Sequence, residues 1–180
     1  MNSLRHSRHR EFASTLGILI FSTSLIAFAQ DGNSDGEWPS YAADAGSTKY
    51  TSLSQIDSSN FAGLEIAWRW QSIDGELDFE ALLGPDAEVG FGRLQATPLM
   101  IDGVLYLLTA LNQVVALDAV SGEELWRYDP EVYMSGVSNS PLGFHHRGVA
   151  WWSDGGESRV LMTTNDGFII SLNAQTGELD

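Results

Sequence analysis

Apolar and β-branched residues fall into runs of five to seven along most of the chain, at positions 64–70, 95–101, 104–109, 114–118, 124–128, 147–152, 159–164 and 168–173. Short stretches rich in Gly, Asp, Asn and Ser separate them. Runs of this length bounded by turn residues read as β-strands. Asp102–Gly103 lies between two runs as a two-residue hairpin signal, because Gly accepts positive φ. Asn165-Asp166-Gly167 and Ser121-Gly122 mark turns of the same kind. No stretch after the N-terminal segment shows a convincing helical period. The pattern predicts antiparallel all-β structure, with 71–93 as a long Gly- and acid-rich connection.

Residues 1–29 follow a different pattern. "MNSLRHSRHR" carries Arg5, Arg8 and Arg10, "ASTLGILIFSTSLIAFA" is apolar, and "QDGNSDGEW" is polar. A basic start, an apolar centre and small residues at Ala27 and Ala29 read as a secretory signal cleaved after Ala29. The run is short for a membrane span and is broken by Ser and Thr, so no stable span is expected after cleavage. The expected organisation is a signal at 1–29 and an exported β domain at 30–180.

The strand pattern repeats. At an offset of 55, "LYLLTALNQVVALDAVSGE" (105–123) aligns without gaps on "VLMTTNDGFIISLNAQTGE" (160–178). A fainter copy at an offset of 58 sets "NFAGLEIAW" (60–68) on "DAVSGEELW" (118–126). A period in the mid-fifties built of four short strands points to a propeller of four-stranded blades. In that setting Asp118 and Asn173 accept backbone N–H bonds in the following turns. Trp126 packs on a neighbouring blade, and its indole N–H needs an acceptor there.

Charge and cysteine content narrow the partners. Nine basic and 24 acidic residues give a formal net charge of −15. Without residues 1–29, six basic and 23 acidic residues remain, a net charge of −17. Such a surface repels nucleic acid and anionic lipid. The chain has no cysteine. Disulfides, a thiol nucleophile, cysteine metal sites and lipid attachment at a cysteine are therefore excluded.

Ala116, Asp118, Ser121, Gly122 and Trp126 spell Ala-x-Asp-x-x-Ser-Gly-x-x-x-Trp, and Ser171, Asn173, Thr176 and Gly177 begin a second copy. This phrase resembles the tryptophan-docking motif of quinoprotein dehydrogenases, eight-bladed propellers that bind pyrroloquinoline quinone (PQQ). The segment 37–68 resembles the opening of that family through Trp38, Pro39, Tyr41, Asp44, Gly46, Thr48, Lys49, Tyr50, Leu53, Gln55, Ile56, Asn60, Leu64, Ala67 and Trp68. "LQATPLMIDGVLYLLTA" (94–110) and "HRGVAWWSDG" (146–155) are also similar. The resemblance implies the first blades of a larger propeller, since two or three blades cannot close a ring. It also implies a periplasmic enzyme, glucose-dehydrogenase-like in style, that oxidises an alcohol or sugar. Such an enzyme uses PQQ and Ca2+ and passes electrons to cytochrome c or ubiquinone. The calcium ligands and catalytic Asp of the family lie in later blades, so neither is assigned here. A non-catalytic repeat propeller that binds proteins is the alternative; segment 37–68 favours the dehydrogenase.

Three residues are expected at the cofactor. Arg147 opens Arg-Gly-Val-Ala, whose Arg in the family touches the quinone or its carboxylate. A guanidinium fork matches a carboxylate with two parallel charged hydrogen bonds. Gln95 stands where many members have Glu; its amide can donate to a carboxylate and accept from a ring N–H. His146 stands where an adjacent cysteine pair precedes Arg-Gly in many members, placed to stack on or cap the cofactor. His145 points to the other face of an extended chain, so the two histidines cannot chelate one metal together. The acids at 74–80 lack the spacing of a calcium loop.

Export gives the first testable outcome. N-terminal sequencing of the secreted product is expected to begin at Gln30, and a product beginning at Met1 would overturn the cleavage assignment.

Overall fold

The computed structural model describes residues 36–86, 94–135 and 144–180. The signal assigned to 1–29 lies outside the described residues. Four antiparallel strands form a first sheet in chain order: β1 (Leu99–Ile101), β2 (Val104–Leu108), β3 (Val114–Asp118) and β4 (Glu124–Tyr128). A second sheet holds β5 (Ala150–Ser153), β6 (Ser158–Thr163) and β7 (Ile169–Asn173), also in chain order. A bridge between Leu172 and Leu179 begins its fourth position.

The turns follow their residues. Asp102 and Gly103 both take positive φ, 50° and 79°, the mirror-image turn that suits strand twist. The Asp118 carboxylate accepts from the backbone N–H groups of Val120 and Ser121, and Asn173 Oδ1 accepts from those of Gln175 and Thr176. The backbone bonds repeat at the offset of 55. Ala119 N–H donates to Gly103 and Ala174 N–H to Ser158; Thr109 N–H donates to Gln113 and Thr164 N–H to Phe168.

Packing joins the repeats. Val114, Val115, Ala116 and Leu117 of β3 are all buried. Successive strand residues face opposite ways, so β3 serves two interfaces. Val114 and Ala116 join Leu99, Tyr106, Val160, Met162 and Leu172 in a core shared by both sheets. Val115 and Leu117 meet Trp68 and Trp70 on the other side. This explains a continuous apolar run in place of alternation.

Trp126 of β4 lies against Gly177 of the second sheet, and its indole N–H donates to the Ala174 carbonyl at 2.9 Å. Trp68 makes the same contact one unit earlier, against Gly122 and with the Ala119 carbonyl at 3.1 Å. The expected docking of Trp126 is present, and the fainter copy at 60–68 is a true structural repeat of it.

Some elements differ from expectation. Residues 64–70 carry no ladder strand. A ladder needs a neighbouring strand, and among the described residues none runs beside this segment; its tryptophans anchor it through side chains instead. β1 begins only at Leu99, after Pro98, which has no N–H to contribute. A short helix, α1 (Phe79–Leu83), stands in the connection read as loop. The Asp78 side chain accepts from Ala81 N–H at its start, and Gly84 follows its end with φ 95°. Five residues are too few for a helical period to show in sequence.

The glycine contacts predict a paired result. A Cβ at Gly177 would sit 2.5 Å from the Trp126 ring, whereas one at Gly103 would meet nothing within 4 Å. Both have positive φ, 73° and 79°. Gly103→Ala is expected to cost about 1–2 kcal/mol from backbone conformation alone. Gly177→Ala should cost a further ~1–3 kcal/mol from overpacking, measured by denaturant unfolding. Equal losses would mean that the ring contact contributes nothing.

Candidate functional site

The segment 144–149 crosses from the first sheet to the second, and several contacts fix it. Phe144 is buried, and its carbonyl accepts from Asn112 Nδ2 at 3.2 Å. The Arg147 carbonyl accepts from Thr97 N–H at 3.0 Å. Gly148 has φ 131°, and a Cβ there would lie 2.8 Å from the Thr97 carbonyl oxygen. The Arg-Gly pair is therefore pressed against 94–98, and only glycine tolerates both the conformation and the approach. This brings the segments of Arg147 and Gln95 side by side.

Arg147 lines a recess of about 240 Å³ with Tyr41, Val149, Leu161, Thr163 and Ile169 among its walls. Its side chain is exposed. Among the described residues no carboxylate forms an ion pair with it, whereas Arg127 pairs with Glu124 at 2.7 Å and Arg159 with Asp180 at 2.8 Å. An accessible guanidinium beside an apolar wall can receive a flat anionic ligand.

Gln95 is exposed and does not line this recess. His146 is half-buried, and its Nε2 lies 2.9 Å from Asn165 Oδ1 in the turn between β6 and β7. His145 is exposed, consistent with opposite faces for the two histidines. The structure thus brings Arg147 to a recess, Gln95 to the neighbouring strand path, and His146 to a partner on the second sheet.

Thr163 is the polar residue of the recess that the sequence did not single out. The repeat pairs Thr164 with Thr109, and both are structural: each is buried, and each hydroxyl oxygen accepts a backbone N–H four residues on. Strand alternation puts Thr163 on the opposite face, which was the available signal. Asp74, in the acid-rich connection, is also buried. Its carboxylate accepts from the Thr109 hydroxyl at 2.9 Å and Leu111 N–H at 3.1 Å, so it braces a turn. Among the described residues no three His, Cys, Asp or Glu gather to hold a metal ion.

Two stacked antiparallel meanders joined by tryptophan docking define a β-propeller of the PQQ-repeat class. Residues 38–180 match the family model described as "PQQ: Glucose/ethanol/alcohol dehydrogenase, beta-propeller domain", and the chain belongs to this family. The quinohemoprotein alcohol dehydrogenase ADH IIB of Pseudomonas putida is 36% identical over 166 residues, 92% of this chain and 21% of that protein. The quinoprotein glucose dehydrogenase of Escherichia coli is 30% identical over 81% of this chain and 18% of its own length. Among solved structures, the quinohemoprotein alcohol dehydrogenase of Comamonas testosteroni superposes with a TM-score of 0.61 at 29% identity, covering 79% of this chain and 18% of that one. The chain spans about a fifth of the length of the curated relatives it matches.

Burial pushes the His146 ring below its ordinary range; the Asn165 hydrogen bond opposes that shift and neighbouring His145 adds to it. The unfolded chain therefore takes up this proton first on acidification. The contribution of His146 to stability is complete above its unfolded value of about 6.5 and is lost as pH falls from there through the lowered folded value. The stability advantage of wild type over His146→Gln should shrink in denaturant melts as pH is lowered through about 6.5, the unfolded value, and below. An advantage that stays constant would place the ring in its ordinary range.

Proposed function

We propose that the complete protein oxidises the hydroxyl group of an alcohol or sugar with PQQ, and that this chain supplies the Arg147 side of the cofactor pocket. One observation carries the reading: in a chain of net charge −15, Arg147 lines an open recess and has no carboxylate partner among the described residues. PQQ bears three carboxylates and, when bound, supplies a quinone that takes up two electrons from the substrate. The residues present fit such a group. Arg147 offers two parallel N–H donors for one carboxylate. Thr163 adds a hydroxyl, and Val149, Leu161 and Ile169 offer apolar surface for a planar ring system. Gln95 does not line the recess; its segment runs beside that of Arg147 through the Thr97 bond, and contact of its amide with the cofactor is part of this proposal.

The catalytic base and the Ca2+ ligands are proposed to lie in parts of the protein outside this chain. The names of the relatives support a hydroxyl substrate and choose no single one: glucose, 1-butanol and alcohols in general all appear. Relatives are named for both cytochrome c and quinone as acceptor, which supports electron transfer to cytochrome c or ubiquinone here. The basic and apolar start supports a periplasmic location. Among the described residues no helix is long and apolar enough to cross a membrane.

The test is a PQQ titration of the complete apo-protein. Arg147→Ala should weaken affinity on the order of 30- to 1000-fold, the loss of one charged hydrogen-bond pair. Arg147→Lys should recover only part of it, because it keeps the charge without the fork. Equal affinity in all three proteins would remove Arg147 from the site, and absence of PQQ binding by wild type would favour the non-catalytic propeller.

A further inference from the structure

We infer that His146 and Asn165 form a cross-tie that aims Arg147 into its recess, making His146 a positioning residue rather than a cofactor contact. The inference rests on the reading of Arg147 as a cofactor ligand. Its first support is alternation. His146 and Arg147 are neighbours on the stretch 145–147, whose exposure alternates from exposed His145 through half-buried His146 to exposed Arg147. In such a run adjacent side chains leave on opposite faces, so holding one ring sets the direction of the next residue. The second support is the bond itself: His146 Nε2 and Asn165 Oδ1 are 2.9 Å apart in a partly buried setting.

The third support is where the tie lies. Asn165 is two residues beyond Thr163, at the end of β6. His146 is one residue before Arg147. The tie therefore links the segment that bears Arg147 to the turn that follows Thr163, both of which line the recess. The Arg147 carbonyl is held independently by Thr97 N–H. With the backbone held on one side and the preceding side chain on the other, the direction in which the Arg147 side chain leaves the backbone is set. The geometry also limits what His146 can do. Its Nε2 is engaged with Asn165, and the ring is not among the walls of the recess.

The test measures PQQ affinity of the complete apo-protein by titration, with circular dichroism to confirm folding. His146→Leu should weaken binding about tenfold, as removal of an outer partner that orients a ligand commonly does. His146→Gln, whose amide nitrogen reaches the Nε2 position, should restore most of the affinity. In an Arg147→Ala background, His146→Leu should cause no further loss, because its effect passes through Arg147. Additive losses would assign His146 its own contact with the cofactor and overturn the inference. Wild-type affinity in His146→Leu, with Arg147→Ala still weak, would also overturn it while leaving the reading of Arg147 intact. Wild-type affinity in Arg147→Ala would instead remove that reading. If His146→Leu does not fold, Asn165→Ala takes its place: a loss of affinity that disappears in the Arg147→Ala background supports the tie, and wild-type affinity overturns it.

Discussion

The contact between a tryptophan ring and a glycine on the next unit governs this structure. Trp68 lies on Gly122, and Trp126 lies on Gly177. In each case the ring is so close that a Cβ would sit 2.5 Å away, and the indole N–H is fixed to a carbonyl three residues before the glycine. Apolar contact alone is non-directional and would let two sheets slide. A ring seated on a glycine, with one directed hydrogen bond, removes that freedom. The buried faces of β3, shared between both interfaces, then fill around it.

The recess inherits its shape from that docking. Thr163 and Ile169 belong to the second sheet, while Arg147 is held by Thr97 on the approach to the first. A change in the angle between sheets would pull these groups apart. Electrostatics points to the same place. Asp44, Asp57, Asp118 and Asp154 have carboxyls held below the usual range by hydrogen bonds within their turns. These four carboxylates are thus engaged in local backbone structure. Arg127 and Arg159 have carboxylate partners. Arg147 has none among the described residues, and it is the basic residue that lines the recess.

Local and periodic features were legible in the sequence. Asp102–Gly103 announced its hairpin, the offset of 55 announced equivalent turns, and Trp126 announced both its docking and its need for an acceptor. These follow from rules that act over a few residues or repeat with the blade. What the sequence concealed depends on distant neighbours. The run 64–70 has the composition of a strand, but a ladder also requires a partner, which composition does not encode. Thr163 faces a recess whose other walls include Tyr41 and Arg147, and their distance along the chain is what hid that role. His146 stands at the place of the family's cysteine pair, and that likeness points to the cofactor and not to Asn165. Asn165, 19 positions away, carried no mark of its role.

The repeat itself limits where side chains are free to differ. Positions related by the offset of 55 must make the same backbone bonds and dock the same rings, so they have little freedom to differ. Ala119 and Ala174, Gly122 and Gly177, and Thr109 and Thr164 show this constraint in matching contacts. Residues between strand sets carry no such duty. Segment 144–149 is one of these, and there Arg147 stands with its carbonyl tied to Thr97 and its side chain free of any carboxylate among the described residues. The strand end at Thr163 has similar latitude, since its hydroxyl has no part in the turn that Thr164 closes. A propeller can thus vary its ligand groups at connections and strand ends while its docking contacts stay the same from blade to blade. In this chain those two kinds of position meet at one recess.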